Sequence, residues 1–247
     1  MWKVVLIGFV LLVLYSNDVA AAKGLPSYLK LCHRRIPNLK ACVIENINIL
    51  RPRMKAGVPQ LLIPSLDPLI IPEATLSTGN DFKATFRNIR LYHIDSFVVD
   101  TFNIDIDNYT IDIKMHFPSL RIISNYTING RILVLNLNGN GPADGNYTNV
   151  RTELSLKGTP FQKNNKTFVK WTREKIDIQI ESVHLLFERI FGDNAELNSQ
   201  TNKIINENIG SIIDELKPVF QQIVGDFIFN LINRLFSRYD IFDLFPN

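Results

Sequence analysis

The sequence predicts an α+β fold: a run of antiparallel strands followed by one long C-terminal helix. Two changes of hydrophobic period carry that expectation. From about Asp81 to Phe187 apolar residues alternate with polar ones, as in half-buried strands. From about Asn198 to Arg238 they recur at three- and four-residue steps, as on one face of a helix. Nothing between these regions reads as a linker, so about 225 residues after a leader are expected to form one domain, 23–247.

The chain opens with Met1-Trp2-Lys3, an apolar run from Val4 to Tyr15, and Ala20-Ala21-Ala22. This is the pattern of a cleavable secretory signal over residues 1–22. Its apolar run would span only ~18 Å as a helix, too little for a bilayer, and no later run is long enough for a transmembrane segment. Export agrees with the cysteines. The chain has two, Cys32 and Cys42, and closing that short loop as a disulfide contributes about 2–3 kcal/mol in the chain-entropy picture. Their spacing fits no zinc pattern, and no metal is expected. Four Asn-x-Thr sequons, at Asn108, Asn125, Asn146 and Asn165, add the expectation of surface glycans.

Apolar residues at Leu39, Val43, Ile47, Leu50 and Met54 predict an amphipathic helix over 39–56, with Pro52 bending or shortening it and Gly57 stopping it. Prolines 59, 64, 68 and 72 then forbid helix and predict extended chain. In the strand region Tyr109, Ile111, Ile113, Met115 and Phe117 alternate, as do Ile176, Ile178 and Ile180. Turns are expected at 117–119 (Phe-Pro-Ser), at Asn129-Gly130 and across the glycine-rich 139–145, read as a hairpin loop. The C-terminal stripe, from Ile205 through Leu216, Ile223 and Phe227 to Leu235, implies a helix ~60 Å long bent at Pro218. The stripe is wider than a coiled-coil seam and lacks flanking charge ladders. It needs a concave apolar surface, which the strands can supply.

Net charge is near neutral but uneven. Eight basic residues against one acid lie between Lys23 and Gly57. With no recognition motif this does not point to nucleic acid. It reads as a solvated helix surface, or as a contact for an anionic surface or protein partner through Arg51, Arg53 and Lys55. Catalytic signatures are missing: no Gly-x-Ser-x-Gly, His-Glu-x-x-His or Cys-x-x-Cys, and no phosphate loop, so no cofactor is expected. His33, His93, His116 and His184 have no metal-ligand spacing. Asp105 and Asp107, expected to share one face of a strand, are read as solvent-facing rather than as an acid–base pair.

The order of parts resembles the insect takeout family, within the wider juvenile-hormone-binding protein superfamily. The resemblance runs from Cys32 and Cys42 through Gly57-Val58-Pro59 and Ser65-Leu66-Asp67-Pro68-Leu69. It continues in Gly130-Arg131-Ile132-Leu133-Val134-Leu135 and Asn138-Gly139-Asn140-Gly141, and ends in Arg238-Tyr239-Asp240-Ile241-Phe242-Asp243-Leu244-Phe245-Pro246. It implies a strongly curved antiparallel sheet wrapped around the long helix, with an internal apolar tunnel. It also implies a secreted, non-enzymatic carrier of a small hydrophobic ligand of fatty-acid, terpenoid or hormone type. The hormone-binding branch carries a further cysteine pair that this chain lacks, which points to the takeout branch. Within that fold, periodicity and size nominate Leu216, Phe220, Ile223, Phe227, Phe86, Phe97, Phe102, Met115 and Phe117 as tunnel-lining residues. Two other classes stay open: an interaction protein acting through the basic segment, and an enzyme acting on lipid esters.

Overall fold

The computed structural model describes residues 25–78, 81–133 and 135–247. The expected signal, residues 1–22, lies outside them. Cys32 and Cys42 form the disulfide, tying the segment ahead of the first helix to its first turns. That helix, α1 (Leu39–Met54), keeps Pro52 in its last turn, and Gly57 leaves it with φ +89°. The proline-rich stretch is not helical, but it is only partly extended: a 3-10 turn at Pro59–Leu61, the left-handed Leu62 and a second turn at Asp67-Pro68 break it before Leu69. Pro72 falls inside β1 (Leu69–Thr78), where it interrupts the ladder between Ile71 and Glu73. An edge strand tolerates that gap because only one of its sides is paired.

Five more strands follow: β2 (Phe82–Tyr92), β3 (Val98–Asp105), β4 (Thr110–Ile132), β5 (Leu135–Lys163) and β6 (Lys166–Phe187). All pair antiparallel in the order β1-β2-β4-β5-β6. The first half of β4 pairs with β3 and the second half with β2, so two short strands share one long neighbour. β5 alone runs 29 residues, about 95 Å at ~3.3 Å per residue.

The expected turns at 117–119, 129–130 and 139–145 are instead strand. Pro118 leaves only a gap in the β4–β5 ladder between Phe117 and Ser119, and Asn129-Gly130 still pair with Lys83 and Phe82. The glycines of 139–145 serve another purpose. A Cβ on Gly139 would lie 2.3 Å from the Ile190 carbonyl oxygen, and one on Gly141 2.3 Å from that of Glu188. Bare backbone there lets the segment after β6 cross β5 in contact. Asp105 and Asp107 do not share a strand face. Asp105 ends β3 and accepts from both the backbone N–H (2.9 Å) and the carboxamide (2.8 Å) of Asn108, which hold its carboxyl below the usual range. Asp107 lies in the following turn, 3.6 Å from Arg34.

The C-terminal stripe forms two helices, α2 (Ala195–Glu207) and α3 (Ile209–Arg238), broken at Asn208. Asn208 closes one helix and opens the next, while Pro218 remains inside α3. α3 packs along β6 and also touches β1, the strands at opposite ends of the sheet order. One helix can meet both edges only if the sheet curls around it.

Asparagines fasten the edge of β6. Asn206 accepts from the Leu185 N–H (2.8 Å) and donates to the Leu185 carbonyl (2.7 Å). Asn202 does the same for Phe187, and Asn233 on α3 for Trp171. Each carboxamide stands in for a residue of a missing strand, satisfying edge groups that would otherwise be costly to bury.

An ionic link also joins α3 to the sheet. Lys217 reaches Asp177 on β6 at 2.8 Å, and Gln221 donates to the same carboxylate at 2.9 Å. The Lys217 hydrogen bond, ahead of Gln179 and the nearby charges, holds Asp177 below the usual carboxylate range. A depressed native value contributes stability above the unfolded pKa, near ~4, and loses it as pH falls through the native one. Asp177→Asn is therefore expected to cost about 0.5–1 kcal/mol at pH 7. Below about pH 4 the gap from wild type should close. Urea unfolding of both proteins at pH 7 and pH 3 measures this.

Three apolar clusters fill the molecule. One gathers Leu76, Phe82, Ile128, Phe187, Ile205 and Ile212. A second holds Trp171, Phe236, Ile241 and Phe245 beneath Cys32 and Leu39. The third packs Leu50, Met54, Val58 and Leu61 against Tyr239.

Candidate functional site

The first cluster is hollow. A cavity of about 190 Å³ lies between the concave face of the sheet and the helices α2 and α3. The period-two pattern of the strands supplies one wall, because inward positions alternate: Ile122, Ser124 and Ile128 on β4, Gly145 and Tyr147 on β5. Phe86 on β2 and Leu185 on β6 extend it. The helix period supplies the opposite wall with Leu216, Phe220 and Ile223, and Ile205 of α2 closes one side.

Four of the nominated residues therefore meet at the cavity: Phe86, Leu216, Phe220 and Ile223. The other five do not line it. Phe102 is buried in the cluster of Trp171. Phe97 packs with the third cluster under the Arg51 guanidinium, 4.6 Å from its ring centre, and its ring is 6.4 Å from that of Phe117. Met115 is half-buried on β4, opposite Val99 and Thr152. Phe227 packs towards the third cluster and borders an outer groove with Phe161. All except Phe227 belong to β3, its approach, or the first half of β4, and that end of the curl is plugged by α1 and the C-terminal segment.

Sequence reasoning missed Ser124, Gly145 and Tyr147. A Cβ on Gly145 would lie 2.8 Å from Cε2 of Tyr147 and 3.1 Å from its hydroxyl oxygen, so the tyrosine ring lies back over the glycine. Burial pushes the Tyr147 hydroxyl up to about 12. Tyr126 is likewise pushed up to about 12, chiefly by burial, but its hydroxyl donates to the Glu188 carbonyl at 2.7 Å. The charged residue on the lining is Asp144. Its carboxylate is turned to Arg121, which donates to it at 3.1 and 2.5 Å and holds it below the usual range.

The basic segment is engaged within the molecule. Arg51 donates to the Phe97 carbonyl, Arg53 lies 4.1 Å over the Tyr28 ring, and Lys55 reaches Asp95 at 3.4 Å. His33 contacts the Asn247 carbonyl, and His116 pairs with Asp100 at 2.8 Å. The backbone N–H of His93 donates to Asp67, and His184 borders the groove beside α2. Among the described residues no group of three His, Cys, Asp or Glu could hold a metal, and no helix is long and apolar enough to cross a membrane. The four sequon asparagines are exposed, Asn108 and Asn165 in turns, Asn125 and Asn146 on the outward face of β4 and β5.

A sheet curled around a long helix is the arrangement that the motif resemblance implied; where it implied a tunnel, the structure holds an apolar cavity of about 190 Å³. Residues 9–246 match the family model for haemolymph juvenile hormone binding protein. The chain belongs to that family. Within it, the takeout resemblance holds. The crystal structure of Epiphyas postvittana Takeout 1 superposes with a TM-score of 0.71 at 20% identity, covering 84% of this chain and 96% of that one. The circadian clock-controlled protein daywake of Drosophila melanogaster is 22% identical over 240 residues, 92% of this chain and 91% of its own length. Its counterpart in Drosophila yakuba matches to the same extent. The family is one of binding proteins.

Proposed function

We propose that this chain is a secreted carrier that holds one small hydrophobic ligand in the cavity between the sheet and α3. The observation that carries the reading is the almost wholly apolar space at the centre of a cluster that is otherwise tightly buried. Family membership and the Cys32–Cys42 disulfide support it. So does the leader-like start of the sequence. Exposed sequons at Asn108, Asn125, Asn146 and Asn165 suit passage through the secretory pathway as glycosylation sites.

The thermodynamics favour carriage. Each methylene moved out of water contributes about 0.8 kcal/mol, so a ten-carbon ligand gains about 8 kcal/mol before the cost of losing its freedom. An engineered apolar cavity of ~150 Å³ stays dry and takes up benzene. A space of about 190 Å³ therefore suits a compact ligand without rearrangement.

Organic extraction of the purified secreted protein, followed by mass spectrometry, is expected to release an apolar compound close to one per chain. The emptied protein is expected to take up N-phenylnaphthylamine with a rise in fluorescence. Protein that yields no compound and takes up no probe would overturn the carrier reading.

A further inference from the structure

We propose that a second site, apart from the ligand cavity, binds a neutral saccharide carrying N-acetylhexosamine between the outer side chains of β4 and β5 and the segment that follows β6. It does not rest on the carrier reading. The site is a pocket of about 390 Å³ with Thr127 of β4, Asn138 and Asn140 of β5 on one side and residues 189–192 on the other.

Thr127 and Asn140 are cross-strand partners, and Asn138 lies two residues away on β5. All three are exposed and alternate with the buried Tyr126, Ile128 and Leu137, so their polar ends stand in a row on one face. Among the described residues neither the Thr127 hydroxyl nor the Asn140 carboxamide has a protein hydrogen-bond partner, and Asn138 has only Asn129 at 3.5 Å.

The facing segment is pinned at both ends. The Glu188 N–H donates to the Pro142 carbonyl at 3.0 Å, and the Tyr126 hydroxyl donates to the Glu188 carbonyl at 2.7 Å. Further on, the Phe191 N–H donates to the Asn198 carboxamide at 2.8 Å, which donates in turn to the Gly192 carbonyl at 2.9 Å. Between these ties Arg189 is held at φ +62°, a left-handed conformation that carries a cost for any residue with a side chain. Ile190 is thereby 2% exposed, while Phe191 is turned out at 40%. A strained, fastened segment that presents an aromatic ring beside a row of carboxamides is preorganised for a ligand with one apolar face and many hydroxyls.

A pyranose has that character. Its C–H face stacks on an aromatic ring, and its hydroxyls donate and accept, as the side chains of Thr127, Asn138 and Asn140 do. An acetamido group adds an amide that a carboxamide pairs with in both directions. No carboxylate lines the pocket, and its one cation, Arg189, already has Asp193 at 3.6 Å, so nothing in it calls for a charged ligand. Two sources present this chemistry. One is a glycan on Asn125, which opens the sequon that Thr127 ends and lies about 7 Å from it along the same strand face. The other is a glycan on a different molecule.

The test titrates N,N′-diacetylchitobiose and maltose into the full chain carrying Asn125→Gln, with binding read by NMR. Chitobiose is expected to bind about tenfold more tightly than maltose. Phe191→Ala, and separately Asn138→Ala with Asn140→Ala, should each weaken chitobiose about tenfold. All three side chains are exposed, so the melting temperature without sugar should stay that of the parent. Chitobiose that does not bind, that binds no better than maltose, or that binds these variants as well as the parent would overturn the proposal. The glycosylated wild type then separates the sources. A site closed to added chitobiose means that the Asn125 glycan occupies it, and binding as tight as in Asn125→Gln means that the sugar belongs to another molecule.

Discussion

Phe220→Trp will weaken uptake of an apolar probe by about thirtyfold. Phe220 of α3 lines an apolar space of about 190 Å³, and the larger indole takes room that ligand atoms would occupy. Displacing two or three methylenes forfeits about 2 kcal/mol, which converts to that factor. Ala74→Phe tests the same idea from the opposite wall, since Ala74 of β1 also lines the cavity. Phe227→Trp, two turns of α3 further on and outside the lining, is expected to leave uptake unchanged. Probe titration with all three variants, alongside thermal melts to confirm folding, measures the difference. Equal loss in the Phe220 and Phe227 variants would place the ligand outside this cavity. Unchanged uptake in both Phe220→Trp and Ala74→Phe would do the same.

The contrast between Phe220 and Phe227 marks how far the sequence could be read. Both sit on one apolar stripe of α3, and period alone places both towards the sheet. Which of them lines a space and which fills one depends on what stands opposite. For Phe220 that is the open end of β1, β2 and β4, and for Phe227 the packed third cluster. The same limit applies to Phe86 and Phe102: aromatic residues in strands, one lining and one buried. Local periodicity records which way a side chain points, not whether anything meets it.

Turn chemistry misled for a related reason. Gly139 and Gly141 have the composition of a hairpin loop, yet they are bare because residues 188–190 cross them from far along the chain. A glycine required by close approach looks the same in sequence as one required by a turn. Asn208 hid its break because an asparagine between two stretches of one stripe leaves the period almost undisturbed. The asparagines at 198, 202 and 206 were a usable signal. Four-residue spacing of one polar type along a helix marks a single face, and here Asn202 and Asn206 fasten the β6 edge while Asn198 fastens the segment after it at Phe191. The antiparallel strands, the disulfide and the helical ending were legible because each rests on a pattern within its own segment, whereas the curl of the sheet was implied only by the family resemblance.

Trp171→Ala will cost about 3–5 kcal/mol while leaving ligand affinity intact. Trp171 is fully buried on β6, edge-on to Phe236 at 5.1 Å, in the cluster beneath the disulfide rather than at the cavity. Truncating so large a core side chain carries a penalty of about that size and should lower the melting temperature by about 10 °C. The reason such density matters lies at the other end. Keeping about 190 Å³ empty forfeits about 4–5 kcal/mol at the usual cost per unit of cavity volume. A carrier must hold that hollow open before its ligand arrives, so stability has to come from elsewhere, and the Trp171 end supplies Trp171 and Ile241 at 0% exposure and Val169 at 1%. Ligand then returns the deficit through mass action, raising the melting temperature of wild type and variant by a similar increment. Calorimetry of both proteins with and without bound decanol reads the two quantities separately. A variant that melts as expected but no longer gains stability from ligand would mean that the packed end shapes the cavity, and the division of labour between the two ends would fail.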